Sequence, residues 1–134
     1  MRRDEQPLSD RERLEHMLAA GRDALFIASG RTRAELDGDV ELRHALVRCV
    51  EIIGEAAARV GEQARARVPA LPWPRVVGMR HILVHAYYKV DLDAVWRVVA
   101  EHVPQMVALL EQALKDWQVP AMDADPGPAE DDQP

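Results

Sequence analysis

Hydrophobic residues recur at helical spacing along most of the chain. In the first segment, apolar side chains return every three or four positions, as they do on one face of an α-helix. These positions are Leu14, Met17, Leu18, Gly21, Leu25 and Ala28. Ser9 precedes the segment and Glu12 follows three residues later, which is the signature of a capping box at a helix N-terminus. The pattern predicts a first helix over about 10–28.

Three further segments have helical periodicity, and no stretch alternates as a half-buried strand would. They span about 39–65, 74–87 and 92–117. Three prolines within 69–74 form a rigid connector that no helix can cross. Pro104 lacks a backbone N–H, so it should kink or split the last helix near His102. The sequence therefore predicts an all-α protein, an up-and-down bundle of about four to five helices.

The second predicted helix contains a stripe of small residues that includes Gly54 and Gly61. Small side chains allow another helix to approach closely. Glu51 and Glu55 lie one turn apart beside this stripe. They are either two solvated carboxylates or a pair of which one faces the 74–87 helix and orients its polar groups.

Composition indicates one domain with a distinct tail. The 134 residues are 48% hydrophobic and only 4% aromatic, so the core must consist of aliphatic side chains and Met. We expect a helical domain over 1–118 and a disordered, Pro-rich acidic tail over 119–134. The tail carries five of the six net negative charges, which leaves the body close to neutral. Positive charge is almost all arginine, with 15 Arg and two Lys, and this balance neither indicates nor excludes an RNA substrate.

Cysteine use and hydropathy indicate where the protein functions. Cys49 is the single cysteine and lies among apolar residues, so we expect a buried, inert thiol and a reducing compartment. The N-terminal residues lack the apolar run of a signal peptide, and no segment has the roughly 20 apolar residues of a membrane span. We expect a soluble cytoplasmic protein without a membrane partner.

The candidate chemistry lies in 74–88, PRVVGMRHILVHAYY, where titratable groups occur on an otherwise apolar helix. At about 100° per residue, Arg80 and Tyr87 lie about 20° apart, whereas Arg80 and His85 lie about 140° apart. His81 and His85 are an i,i+4 pair on one face. Arg80 and His85 can therefore converge only through the length of the Arg side chain or across two copies of the helix. Such polar groups need partners, which a cleft or a dimer interface would supply.

Other chemistries have weaker support in this segment. His81 and His85 have the spacing of zinc ligands on a helix, but the sequence lacks the intervening Glu of H-E-x-x-H and an evident third ligand. We therefore predict neither a metal nor a cofactor. The alternative to an active site is a polar cluster that only stabilises a helical core.

The segment from Arg80 to Tyr87 resembles a known family. It fits Arg-x4-His-x-Tyr, the motif of the HepT-like toxins of the HEPN superfamily. Three flanking blocks are also similar to that family, in its order and spacing, so that the resemblance covers about 12–115. The blocks are 51–57 (EIIGEAA), 72–80 (PWPRVVGMR) and 90–96 (VDLDAVW).

The resemblance implies a metal-independent ribonuclease that acts as the toxin of a bacterial toxin–antitoxin pair. It implies a homodimer whose composite cleft cleaves RNA, such as tRNA or mRNA. His85 would be the general acid/base, which suits the near-neutral pKa of histidine, and Arg80 would hold the scissile phosphate. Tyr87 matches the tyrosine that a minimal nucleotidyltransferase antitoxin of the MntA type modifies with AMP. The added phosphate would block the site beside Arg80 and His85.

His81 departs from the family pattern, which most often has Asn directly after the motif Arg. It is a second acid/base group, a phosphate contact or a substitution without consequence. The sequence also allows a different class of function, a non-catalytic helical partner that binds or regulates a nucleotidyltransferase. In that case Arg80 and His85 would only stabilise the dimer. An open groove lined by Arg80 and His85 and edged by Arg59, Arg65 or Arg75 would favour the ribonuclease, whereas sealing of the two motif residues in the dimer would favour the partner.

Overall fold

The computed structural model describes residues 8–84 and 91–124, and every regular element in these ranges is helical. The elements are α1 (Asp10–Ala28), α2 (Glu35–Gly38), α3 (Val40–Ala58), α4 (Glu62–Ala66), α5 (Trp73–Val84), α6 (Leu92–Arg97), a π-helical turn (Val98–His102) and α7 (Val103–Ala124). The all-α prediction is confirmed. Four of these helices, α1, α3, α5 and α7, have twelve or more residues.

The core lies between α1 and α3, which pack against each other. On the outer sides, α5 packs against α3, and α7 packs against α1. The largest fully buried side chains are Leu14, Met17, Leu36, Leu46, Ile53, Met79, Met106 and Leu110. Cys49 is buried among them, and burial raises the pKa of its thiol, which agrees with the predicted inert thiol. Among the described residues, no helix is long and apolar enough to cross a membrane.

The first helix begins and ends where its sequence pattern predicts. The Ser9 hydroxyl accepts a hydrogen bond from the Glu12 backbone N–H at 3.0 Å, and the Glu12 carboxylate accepts one from the Ser9 N–H at 2.9 Å. This reciprocal pair is the predicted capping box, and it satisfies two donors that the helix itself cannot.

The prediction of one continuous helix over 39–65 is wrong, because a turn separates α3 from α4. The Arg65 guanidinium reaches back to this turn and donates to the carbonyl oxygens of Ala57 at 3.1 Å and Val60 at 3.0 Å. Asp10 accepts a hydrogen bond from the Gly61 N–H at 3.2 Å. Tertiary hydrogen bonds thus satisfy the backbone groups that the interruption leaves open, and the apolar spacing alone does not reveal them.

The last helical region is divided near His102, as Pro104 predicts. Asp91 caps α6 by accepting a hydrogen bond from the Ala94 N–H at 3.1 Å. The π-helical turn follows directly, and its final bond joins the Val103 N–H to the Val98 carbonyl five residues earlier. Beyond Pro104, α7 continues through the first part of the predicted tail, and 125–134 lie outside the described residues.

Candidate functional site

The start of α5 is held in place by Trp73. Its ring is buried, and its indole N–H donates to the Val68 carbonyl at 3.1 Å. The Arg65 guanidinium lies over the ring, 5.2 Å from its centroid. Trp73 therefore fixes the connector to α5, and this fixes the direction in which α5 presents its polar residues.

Arg80 lies where α5 passes closest to α3. A Cβ added at Gly54 of α3 would be 2.8 Å from the Arg80 backbone nitrogen and 3.1 Å from the Arg80 Cβ. Real Cβ atoms do not approach backbone this closely, so any larger residue at 54 would force the helices apart. The predicted close approach at the small-residue stripe is confirmed at this position. Gly54 thereby determines how deeply Arg80 sits between the helices.

The Arg80 side chain is half-buried but not satisfied within the fold. In the described residues, its guanidinium has no hydrogen bond or ion pair. A half-buried guanidinium has five N–H donors, and water or an anionic ligand must serve the donors that the protein leaves open. Arg80 is thus available to a ligand without first breaking an internal contact.

The other residues of the predicted motif are only partly described. His81 follows Arg80 and lies exposed on α5. His85 and Tyr87 fall outside the described residues, so their roles stay predictions. The His81–His85 pair, whose spacing also occurs in zinc sites, includes a residue outside the described ranges. Within the described residues, no group of three or more His, Cys, Asp or Glu side chains could hold a metal ion.

Glu55 lies on an exposed part of α3 and forms no hydrogen bond or ion pair with Arg80. It lines a groove together with His16 and Arg59. Glu51 forms an ion pair with Arg48 at 3.0 Å. Neither carboxylate is bonded to Arg80 within one copy of the chain, so a supporting role for Glu55 stays a prediction.

Most other arginines of the described ranges have a partner, which sets Arg80 apart. Those bound to carboxylates, backbone carbonyls or an aromatic ring are Arg11, Arg13, Arg22, Arg31, Arg33, Arg43, Arg48, Arg65 and Arg67. Within the same ranges the exceptions are Arg59, Arg75, Arg80 and Arg97. Three of these four lie on α5 and α6.

Arg75 and Arg97 line a cleft between α5 and α6 together with His102. Sequence reasoning missed Arg97 and treated His102 as a residue of a helix end. The two are five residues apart, a separation of about 140° on an α-helix. The π-helical turn between them has hydrogen bonds that span five residues, which brings such positions toward the same side. Pro104 was the one signal in the sequence that the helix changes here.

A family described as "Ribonuclease HepT-like" matches residues 13–113, about three quarters of the chain. This chain belongs to the HepT-like ribonuclease family. The resemblance that was based on Arg-x4-His-x-Tyr and its flanking blocks is therefore confirmed.

Several archaeal and bacterial proteins are similar to this chain. A Methanocaldococcus jannaschii protein named "Putative RNase" is 40% identical over 65 residues, which cover 48% of this chain and 60% of that protein. A Thermococcus cleftensis protein named "Probable ribonuclease HepT" is 34% identical over 77 residues, which cover 58% of this chain and 70% of that protein. A Caldanaerobacter subterraneus protein, also named "Putative RNase", is 29% identical over 102 residues, which cover 76% of this chain and 91% of that protein. The chain spans less than two thirds of the first of these relatives, and no solved structure matches.

Proposed function

We propose that this protein is a metal-independent endoribonuclease and the toxin of a bacterial toxin–antitoxin pair that acts in the cytoplasm. One observation carries the proposal: a half-buried arginine without a partner in the described residues begins the Arg-x4-His motif of a ribonuclease family. Arginine presents a planar fork of N–H donors that matches phosphate oxygens. An RNA phosphate is the ligand that this chemistry favours.

The proposed reaction uses the ribose 2′-OH as its nucleophile. The 2′-oxygen attacks the adjacent phosphorus, the bond from phosphorus to the 5′-oxygen breaks, and the products are a 2′,3′-cyclic phosphate and a 5′-OH. His85 takes the 2′-OH proton or gives a proton to the leaving 5′-oxygen. Arg80 stabilises the negative charge that builds on the phosphate oxygens in the transition state.

The site would be completed by a second copy of the chain. On the helix predicted over 74–87, Arg80 and His85 would be about 140° apart, so a single copy would not aim both at one phosphate. A homodimer that pairs the two α5 helices would bring two motifs to one cleft. Glu55 forms no hydrogen bond or ion pair with Arg80 of its own chain, and we propose that it supports the site from the partner copy.

Tyr87 is the proposed point of regulation. A minimal nucleotidyltransferase antitoxin of the MntA type would transfer AMP from ATP to its hydroxyl, and pyrophosphate would leave. The attached phosphate would lie beside Arg80 and occupy the place of the RNA phosphate. His81, where the family most often has Asn, would contact a phosphate or have no effect on the reaction.

The experiment is cleavage of a small RNA panel, with tRNA and mRNA fragments, in excess EDTA. The wild type is compared with Arg80→Ala and His85→Ala, each with its dimer mass checked. Cleavage that survives EDTA and is lost in both variants supports the proposal. Absence of cleavage by wild type of unmodified intact mass would instead favour a non-catalytic partner of a nucleotidyltransferase. Cleavage that persists in both variants would place the chemistry elsewhere.

A further inference from the structure

The cleft between α5 and α6 is a second concave feature of the described residues. It has a volume of about 240 Å³. The buried side chains of Met79 and Val98 contribute to its lining, and Arg75, Arg97 and His102 provide its polar groups. The three polar groups come from two elements that are distant in sequence, so the fold itself brings them together.

The charged side chains that line this cleft, Arg75 and Arg97, are both positive. No carboxylate occurs among its lining residues, although the whole chain is acidic, with a net charge of −6. Glu101 has i,i+4 spacing from Arg97, yet the two form no ion pair in the part of the chain that the structure describes. Asp93 lies four residues before Arg97 on the same helix, α6, and is already bound to Arg33 at 2.6 Å. The guanidinium groups of Arg75 and Arg97 therefore have donors available for a ligand.

These groups suit one phosphate of a longer chain. Guanidinium binds phosphate with two parallel hydrogen bonds, and the imidazole of His102 adds a further donor. Sites for whole small molecules usually measure about 300–1,000 Å³, and this cleft is smaller. A single phosphate with part of its sugar fits such a space, whereas a complete free nucleotide would remain mostly outside it.

The cleft also lies close to Arg80 along α5. Arg75 and Arg80 are five residues apart, which is about 7.5 Å along the helix axis and about 140° around it. The buried Val76 and Met79 occupy this arc, so the exposed path from Arg80 to Arg75 runs the other way around α5, past His81 and Gly78. A Cβ at Gly78 would meet nothing within 4 Å, so this side of the helix is open. An RNA strand at Arg80 can thus continue across α5 to the cleft.

We propose that Arg75, Arg97 and His102 form a binding site for a backbone phosphate of the RNA substrate other than the phosphate that is cleaved. The inference rests on the proposed ribonuclease function and adds to it a determinant of substrate length. The cleft holds the strand and takes no part in bond breaking. RNA with a phosphate beyond the scissile one binds more tightly than a dinucleotide does.

The test measures binding and cleavage with the full-length protein. Binding is followed by fluorescence anisotropy with a single-stranded 2′-O-methyl RNA, which lacks the nucleophile and stays intact. Cleavage is measured for an oligonucleotide and for a dinucleotide that contains only the scissile phosphate. The variants are Arg75→Ala, Arg97→Ala and Arg97→Lys, with Arg48→Ala as the matched control. Arg48 is an exposed arginine whose removal changes the net charge equally but lies on α3.

Each alanine variant in the cleft should weaken RNA binding about tenfold. It should also make the negative slope of log affinity against log salt less steep by about 0.7, as expected when one phosphate contact to a single strand is lost. The ratio of kcat/KM for the oligonucleotide to that for the dinucleotide should fall about tenfold. Arg97→Lys should recover part of the affinity, and Arg48→Ala should bind and cleave as wild type does.

Three outcomes would overturn the inference, and they are distinguishable from failure of the proposed function. Cleft variants that bind and cut the oligonucleotide as Arg48→Ala does would refute the cleft while the ribonuclease stands. Cleft variants that lose only the binding of AMP or inorganic phosphate, titrated in parallel, would assign the cleft to a free phosphate compound. A wild type that neither binds nor cleaves RNA would refute both proposals. Thermal unfolding and dimer mass confirm that each variant is folded.

Discussion

Arginines on two sides of this molecule have different surroundings. On the side of α1 to α3 most arginines have a partner: Arg31 is bound to Glu35 and Asp39, and Arg33 is bound to Asp93, with Arg59 as the exception among the described residues. On α5 and α6, the described residues offer Arg75, Arg80 and Arg97 no such partner. The same residue type therefore serves two purposes in one small fold.

The difference indicates which arginines stabilise the fold and which are available to a ligand. A paired guanidinium contributes to stability, because its removal leaves a carboxylate or a carbonyl without its donor. A group of unpaired cations repel each other and gain nothing from the fold, so their removal should not destabilise it. Their contribution comes only when an anion binds. Each prediction below tests this contrast, beginning with the largest expected effect.

Replacing Arg80 by Ala should lower RNA cleavage by about 100- to 1,000-fold, as expected for loss of a group that stabilises transition-state charge. The melting temperature should stay at the wild-type value. Arg31→Ala should lower the melting temperature and leave RNA cleavage per folded molecule unchanged. It breaks hydrogen bonds to Glu35 and Asp39 that connect the segment after α1 to the start of α3. Single-turnover cleavage rates per folded molecule, together with thermal unfolding, separate the two effects. Equal losses of activity in both variants would contradict the contrast.

Replacing Gly54 by Ala should cost about 1–3 kcal/mol of unfolding free energy. The new Cβ would be 2.8 Å from the Arg80 backbone nitrogen, and this contact can be relieved only by moving the helix backbone, because no side-chain rotation removes it. Urea unfolding measures the cost, and cleavage per folded molecule should also fall because Arg80 moves.

Gly21→Ala is the matched control for this prediction. Its Cβ would lie 2.8 Å from the Met106 Cε and the Val107 Cγ2, which are ends of side chains on α7. These atoms can shift, so the stability loss should be smaller, and Arg80 should keep its position. A larger loss of activity per folded molecule in Gly21→Ala than in Gly54→Ala would refute the positioning role of Gly54.

The paired side should also determine the acid sensitivity of the fold. A hydrogen bond from the Leu42 backbone N–H and the Arg31 guanidinium hold the pKa of Asp39 below its ordinary value of 3.8, and Arg31 holds that of Glu35 below 4.5. Because both pKa values are lowered in the folded state, their stabilisation is present above about pH 4.5 and is lost as the pH falls through the folded values. Urea unfolding between pH 2 and 6 should show a flatter dependence for Arg31→Ala. Arg80→Ala should follow the wild-type curve, and a flattened curve for it would show that Arg80 has an acidic partner.

The smallest effect is expected at Arg67, whose guanidinium lies 3.6 Å from the centroid of the Trp117 ring. Arg67→Ala should lower the unfolding free energy by about 0.5–1 kcal/mol, the usual size of an exposed cation–π contact. RNA cleavage should not change, because Arg67 belongs to the group with partners. A loss of cleavage without a loss of stability would place Arg67 with the ligand-binding arginines.

Local signals in the sequence predicted the elements well. The Ser9 capping box and the change of helix near Pro104 each depend on residues within one or two turns, and each is present. The break between α3 and α4 was missed, because it depends on side-chain hydrogen bonds to the turn, from Asp10 on α1 and from Arg65 on the following helix α4. Periodicity reports which face is buried, and it contains no information about such tertiary hydrogen bonds.

The candidate site was predictable only where it is contiguous in sequence. Arg80 was identified from its motif, and the close approach at Gly54 from a stripe of small residues. Arg97 and His102 were not identified, because α-helical spacing places them on different sides. The π-helical turn that brings them to one cleft follows from Pro104 only once the structure is known.

The most direct test of this account is an alanine scan of the arginines in the described residues. RNA cleavage in EDTA and the melting temperature would be measured for every variant at equal concentration of folded protein. The account predicts that activity falls without loss of stability at Arg75, Arg80 and Arg97. It predicts that stability falls without loss of activity per folded molecule at the arginines that have partners, such as Arg31. Losses of activity that are spread evenly over both groups, or full activity in Arg80→Ala, would contradict it.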